Sequence, residues 1–250
     1  ASYNLGLDFG FKNDRFSGSI DVYRKETSDL LATVPVPAGT NFTNMILTNV
    51  GGMRNQGIEV SMNTGIIAKK NMRLDWSINA TYNENTVTKL SLVSDPKSPG
   101  VLVGGIGGGI GNTIQVHQVG YATFTYFVLD QQYDTDGSMI QVGEQASIDI
   151  NNDGVVNTSD KWKDIHAYKD ANGDGIINID DRYYAGQAAP KVFLGTALNF
   201  TYKKWFAGFS MRSELGATIY NNIHSNSATF QTIDGTKKYL NNISSLYYEN

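Results

Sequence analysis

The stretch YNLGLDFGFKNDRFSGSIDVY, residues 3–23, decides the fold class. Tyr3, Leu5, Leu7, Phe9 and Phe11 alternate with Asn4, Gly6, Asp8 and Gly10, and a period of two sets them on opposite faces of a strand. The polar turn Lys12-Asn13-Asp14-Arg15 follows. Beyond it Phe16, Gly18, Ile20 and Val22 oppose Ser17, Ser19, Asp21 and Tyr23. The stretch therefore predicts a β-hairpin with one apolar and one polar face.

The pattern returns twice. Ile58, Val60 and Met62 oppose Glu59, Ser61 and Asn63. After a break at Ala68-Lys69-Lys70-Asn71, Leu74, Trp76, Ile78, Ala80 and Tyr82 oppose Asp75, Ser77, Asn79 and Thr81. A third hairpin joins Val192, Leu194, Leu198, Phe200 and Tyr202 to Trp205, Ala207, Phe209, Met211 and Leu215 through Lys203-Lys204. Its other face carries Gly195, Asn199, Ser210, Arg212 and Glu214. The connections between hairpins, 26–56, 86–190 and 217–250, are long, so the short turns gather at one end of the sheet and the long loops at the other. Short turns at one end, strands of about ten residues, aromatics beside the turns and a polar second face describe the wall of an outer-membrane β-barrel. A soluble antiparallel sandwich alternates in the same way. Six strands cannot close a pore, since small barrels begin at about eight, so the chain is expected to be part of a wall.

The 250 residues include 26 Gly, 14 Tyr and 11 Phe with only 18% charged residues, a balance suited to turn-rich β-structure. No Cys is present, so disulfides and Cys-ligated zinc are excluded and any metal must bind through oxygen or imidazole. No run of about 18 apolar residues marks a transmembrane helix. The chain opens ASYNLGLDFG, already in strand pattern, and is expected to be a mature or partial piece of something longer.

Net charge is −4, but twelve of the 24 carboxylates fall between Asp130 and Arg182, against four cations, a local charge of −8. That segment repels phosphate backbones and attracts divalent cations, which argues against nucleic acid as a partner. Within it, DANGDGIINIDD (170–181) has the spacing of an EF-hand calcium loop. Asp170, Asn172 and Asp174 take positions 1, 3 and 5, and Gly175 permits the sharp turn. The Ile176 carbonyl serves position 7, Asn178 position 9 and Asp181 position 12, while Ile177 pins the loop to what lies beneath. Twenty-one residues upstream, DINNDGVVNTSD (149–160) repeats it with Asp149, Asn151, Asp153, the Val155 carbonyl, Asn157 and Asp160. Both loops close with Asp where an EF-hand usually has Glu. Solvated Asx-turns are the plainer reading of the same residues. Bound calcium would staple a loop here, since no helix pair is apparent for it to open. The long segment 86–190 is expected to carry its own order.

Other candidates are weaker. GGIGGGIG (104–111) offers no GxGxxG register and no Lys-Ser/Thr, so it reads as an apolar loop. His117, His166 and His224 are scattered, and no motif places an acid/base pair, so an enzyme is not expected. Tyr121, Phe124 and Tyr126, with Phe127 and Tyr133, could stack on sugar rings or a peptide, or form the core of the long segment.

The runs LLATVPVPAGTNFTNMILTNVGGMRNQGIEV, GGIGGGIGNTIQVHQVGYATFTYFVLDQQYD and DANGDGIINIDDRYYAG followed by APKVFLGTALNFTYKKWFAGFSMRSELGATIYNN resemble the later barrel region of SusC/RagA-type TonB-dependent outer-membrane transporters across nearly the whole chain. The resemblance implies a Gram-negative outer-membrane barrel of about 22 strands with long extracellular loops. It further implies a SusD-like surface lipoprotein, energy passed by TonB through a plug region outside these residues, and import of oligosaccharides or oligopeptides past a lumen lined by residues such as Asp8, Asn79, Asn199, Arg212 and Glu214. One acidic loop is usual in such proteins and two are present here. The rival is a secreted carbohydrate-binding β-sandwich with a dockerin-like module, which needs a helix after each calcium loop. Only KWKDIHAYK follows Asp160, and RYYAGQAAP follows Asp181.

Overall fold

The computed structural model describes residues 1–35, 45–90, 100–106, 113–133, 135, 137, 141–142, 165–166 and 168–223. Their strands are β1 (Ser2–Phe11), β2 (Phe16–Pro35), β3 (Met45–Lys69), β4 (Met72–Lys89), β5 (Val101–Gly105), β6 (Thr113–His117), β7 (Thr125–Val128), β8 (Gln141–Val142), β9 (Ile165–His166), β10 (Tyr183–Gln187), β11 (Val192–Tyr202) and β12 (Trp205–Leu215). Two compact units are formed, one from residues 1–101, 117–123 and 187–218, the other from 102–116, 124–186 and 219–250.

The first unit is a six-stranded antiparallel sheet in the order β1-β2-β3-β4-β11-β12. Its three tight hairpins are the three predicted from alternation, and the register joins their apolar faces into one. Leu5 pairs Val22, which pairs Ile58, Tyr82, Val192 and Leu215 in turn. The next row runs Leu7, Ile20, Val60, Ala80, Leu194 and Ser213. On β4 this face holds Met72, Leu74, Trp76, Ile78, Ala80 and Tyr82, spanning about 34 Å along the strand, or about 25 Å at the usual tilt of barrel strands. That matches the hydrophobic height of an outer membrane.

Among the described residues no second layer of the unit covers this face, since every pair of its strands in extensive contact is a pair of sheet neighbours. Leu5 remains 78% exposed, Leu7 65%, Phe209 59% and Trp205 77%. A sandwich would have buried those side chains against a facing sheet. Left bare, they require an apolar solvent, and the barrel-wall expectation holds. Two polar side chains on this face are joined to each other. Trp76 donates through Nε1 to Thr196 Oγ1 at 2.8 Å, and that hydroxyl donates to the Ser77 carbonyl at 3.2 Å.

One expectation is corrected. Residues 26–56 are not mainly a connection: β2 runs 20 residues and β3 runs 25, and they stay paired from Phe16↔Thr64 to Pro35↔Met45. Alternation fades there because the outward row turns polar at Arg24, Gln56 and Glu84. Where neither face of a strand meets lipid, the period-two contrast has no cause. Register shifts fall between Thr27 and Leu31, where Asp29 takes a φ of +59°. Beside them a Cβ on Gly51 would come within 2.9 Å of the Leu30 Cβ, so glycine is required for the strands to approach.

Part of 86–190 carries order of its own, as expected: the second unit holds a four-stranded sheet, order β10-β7-β6-β5, and a two-residue ladder of β8 with β9, whereas the end of β4 and residues 117–123 belong to the first unit. Among its described residues Val116, Phe127 and Ile177 are buried and apolar.

The wall predicts a sharp asymmetry between faces. Leu7→Arg should destabilise the assembled barrel by about 2–4 kcal/mol, whereas Ser19→Arg on the opposite face should change it by less than about 1 kcal/mol. Urea titration in lipid vesicles measures both, and equal costs would refute the assignment of faces.

Candidate functional site

The inward face of the wall follows from the same register. One row runs Asp8, Ser19, Ser61, Asn79, Gly195 and Arg212, and its neighbour runs Asp21, Glu59, Thr81, Phe193 and Glu214. Four of the five residues expected to line a lumen, Asp8, Asn79, Arg212 and Glu214, thus lie in adjacent rows, and Asn199 lies on the same face nearer the turns. Ser19 and Ser61 share a hydrogen bond of 2.9 Å. Arg212 pairs with Glu214 at 2.6 Å and Arg73 with Asp75 at 2.6 Å. All four side chains are more than a third exposed, so water screens both pairs and neither adds much stability. Near the turns an open concavity of about 860 Å³ is lined by Asn63, Ser77, Asn199 and Asp75.

Two polar arrangements on this face carried no signal in the sequence. Tyr23 crosses Gly57 and donates its hydroxyl to Asn83 Oδ1 at 2.9 Å. A Cβ on Gly57 would stand 2.7 Å from that hydroxyl oxygen, so only glycine admits the crossing. Farther toward the long loops, Asn85 donates to Asn55 Oδ1 at 2.8 Å and accepts from the Thr123 amide at 2.9 Å. Such pairs depend on strand register, which alternation alone leaves open.

In the second unit the loop 170–181 folds around its own carboxylates. Asp170 accepts from the amides of Gly173 at 2.6 Å and Gly175 at 2.8 Å, Asn172 from Asp174 at 2.9 Å, and Asp174 from Ile176 at 2.8 Å. Asn178 caps the 3₁₀ turn Ile179–Asp181 by accepting from Asp180 at 2.7 Å. Gly173 and Gly175 take φ of +76° and +82°, and Gly175 is where the motif demands it. Ile177 is 5% exposed and pins the loop as its position implies.

Asp181 sits deepest, at 1% exposure. One of its oxygens accepts from Ala171 at 2.8 Å and the other from Asn178 at 2.8 Å, so it clasps the two ends of the loop together. Asp174 is exposed. The Asp170 carboxyl is held below the ordinary Asp range chiefly by the Gly175 amide, and stays charged in mild acid. Oxygen donors of this kind suit a hard cation. Among the described residues, however, no three acidic or imidazole side chains are gathered closely enough to hold one. The companion loop, Asp149 to Asp160, lies outside the described residues. So do Asp134, Asp136, His224 and most of the glycine run after Gly105.

The aromatic candidates divide. Phe127 is core, stacked on Tyr184 with centroids 5.0 Å apart, and the buried Arg182 guanidinium lies 6.0 Å from its ring centroid. Tyr126 is partly covered, and its hydroxyl accepts from the Tyr220 amide at 3.3 Å. Phe124, 49% exposed, adopts a φ of +55°, a left-handed conformation costly for a bulky residue. Tyr121 is 40% exposed and belongs to the first unit, where its carbonyl accepts from the Val87 amide at 2.8 Å. Of the five, Phe127 is core, while Tyr121, Phe124 and Tyr133 keep exposed rings. After Asp181 the chain enters β10 directly, so the helix that a dockerin requires there is replaced by a strand.

Comparison with known proteins agrees with this architecture. The family described as TonB dependent receptor-like, beta-barrel, matches residues 1–163. The TonB-dependent receptor SusC of Bacteroides thetaiotaomicron is 34% identical over 231 residues, covering 92% of this chain and 21% of that receptor. The TonB-dependent receptor P39 of Formosa agariphila is 42% identical over 93 residues, covering 36% of this chain and 9% of that receptor. Among solved structures, the RagAB peptide transporter matches with a TM-score of 0.61 at 20% identity, covering 90% of this chain and 22% of that one. The RagAB peptide importer in its open-open state matches with a TM-score of 0.62 at 21% identity, covering 89% of this chain and 21% of that one. The chain thus spans about a fifth of the length of its SusC relative. From the bare apolar face, the polar inner face and the family match together, this chain belongs to the TonB-dependent receptor β-barrel family and forms part of a barrel wall in the Gram-negative outer membrane.

Proposed function

We propose that the protein carrying this chain imports oligosaccharides or oligopeptides across the outer membrane. Energy reaches it from TonB through a plug region, and a SusD-like lipoprotein closes over its extracellular mouth. The observation that supports this most is the two-faced wall: six strands share one apolar face left bare and one face of Asp, Asn, Ser, Arg and Glu. Its likeness to SusC over 92% of the chain points the same way, and the fold it shares with the RagAB peptide transporter is compatible with a peptide cargo. Asp8, Asn79, Asn199, Arg212 and Glu214 line the passage in this reading, and Tyr121, Phe124 and Tyr126 are the aromatic side chains offered to cargo by the loops. Opening and closing of the lipoprotein lid gates access.

Calcium belongs to the same proposal. Asp170, Asn172, Asp174, the Ile176 carbonyl, Asn178 and Asp181 hold one ion, and Asp149, Asn151, Asp153, the Val155 carbonyl, Asn157 and Asp160 hold a second. Bound calcium offsets the charge of the acidic segment and fixes loop shape. The spacing of the donors, the left-handed Gly175 and the ionised Asp170 support it.

Three measurements test these statements. The protein should require detergent or lipid to remain monodisperse; a monodisperse aqueous particle without either refutes the transporter reading. Calorimetric calcium uptake should fall by about one site in Asp170→Ala and in Asp149→Ala, and unchanged uptake in both dismisses the sites. Because the Asp170 carboxyl lies below its ordinary value, its contribution is complete above about pH 4 and fades as the pH drops through the lower folded value, so uptake should be lost in that acid range. Finally, Asp181→Ala should leave the amides of Ala171 and Asn178 without their carboxylate partner, cost the loop about 1 kcal/mol and raise hydrogen exchange at both even without calcium.

A further inference from the structure

The short-turn end of the wall carries more positive charge than its ion pairs consume. Arg73 is held by Asp75 at 2.6 Å, and Arg15 donates to the carbonyls of Gly65 at 2.7 Å and Ile66 at 2.6 Å. Lys12, Lys69, Lys70 and Lys204, all in or beside the three turns, make no ion pair among the described residues. Lys203 lies with its ammonium 5.4 Å above the Tyr202 ring.

These cations adjoin the rim of the apolar face. The last outward row reads Lys69, Met72, Tyr202 and Trp205 across β3, β4, β11 and β12. Trp205 is 77% exposed and Tyr202 41%, amphipathic rings of the kind that sit at headgroup depth. Lysine stems are long enough to lie along apolar surface while the ammonium reaches the phosphate plane. The other rim of the band differs. There Arg24 is engaged by Glu26 at 3.1 Å through Nε, and Gln56 donates to Glu84 at 2.8 Å, so carboxylates stand among the cations.

We propose that the short-turn rim is a binding surface for anionic phospholipid headgroups. Lys69, Lys70, Lys203 and Lys204 engage the phosphate, while Tyr202 and Trp205 occupy the interface beside it. This rests on the reading that the outward face meets lipid. It goes beyond that reading by assigning a headgroup charge preference to one leaflet, the one at the short turns.

The test is lipid retention by the whole protein, purified from mixed bilayers of phosphatidylglycerol and phosphatidylethanolamine. The unmodified protein should retain phosphatidylglycerol in excess of its share. The triple variant Lys70→Gln, Lys203→Gln, Lys204→Gln should lose that excess, by up to about fivefold per lysine at low ionic strength. A second measurement needs no variant: raising salt from about 0.1 M to about 1 M shortens the screening length from about 10 Å to about 3 Å and should erase the preference in the unmodified protein. Inorganic phosphate at matched concentration should not displace the lipid; displacement would mean the rim takes free phosphate and would overturn the assignment. Insertion with equal retention of both lipids overturns this proposal alone, whereas failure to enter either bilayer overturns the lipid-facing reading beneath it as well.

Discussion

An unpaired peptide N–H or C=O in hydrocarbon costs several kcal/mol, and that constraint orders the wall. Between β1 and β12 every neighbouring pair of strands is laddered without a shift through the middle apolar rows, which on β4 run from Trp76 to Tyr82. The irregularities lie at the two ends: between Thr27 and Leu31 and at Gly52/Met53 toward the long loops, and at Gly65/Ile67 beside a short turn. A bulge leaves a backbone group without its ladder partner, which is tolerable only where water or another donor can reach it. At the turn end Arg15 is that donor, spanning the Gly65 and Ile66 carbonyls beside the shift.

The same constraint explains why the two faces differ so strongly in chemistry yet so little in backbone. Outward side chains gain from lipid what a soluble sheet gains from a facing layer, so no core is needed on that side. Inward, the wall tolerates Asp21 directly opposite Glu59, a like-charge pair that disfavours folding and persists only where solvent screens it. A face of exposed ion pairs and hydroxyl contacts contributes little stability. Its value is chemical variety along a wet surface, as expected of a passage.

Alternation made the three hairpins, their turns and both faces legible before any coordinates, because the contrast between lipid and water imposes a period of two. Where that contrast ends, legibility ended as well. The long arms of β2 and β3 beyond the apolar band were hidden, since Thr48, Asn49, Gly51 and Gly52 carry no pattern. Tyr23 with Asn83 and Asn85 with Thr123 needed register, which one strand cannot supply. In the acidic loop the spacing foretold Gly175 as the turn and Ile177 as the pin. The depth of Asp181 was less visible, because a donor count does not reveal which oxygens the backbone has already taken.

That depth bears on how the loop would meet a cation. An aspartate is one methylene shorter than the glutamate usual at the closing position, so the same backbone turn leaves its carboxylate nearer the amides of residues 171 and 178. Those amide bonds order the loop with no ion present, and Asp170, Asn172 and Asp174 hold the turn in the same manner. A cation arriving there meets backbone already folded, and less of its binding free energy is consumed in ordering the chain. The opposing cost is that an oxygen shared with an amide is a poorer ligand, and a carboxylate buried at Asp181 must shift before it can coordinate with both oxygens. Preorganisation and donor competition therefore act against each other, and a loop folded by its own amide bonds in this way would keep nearly the same shape with a cation bound as without one, suited to holding a scaffold and ill suited to switching one.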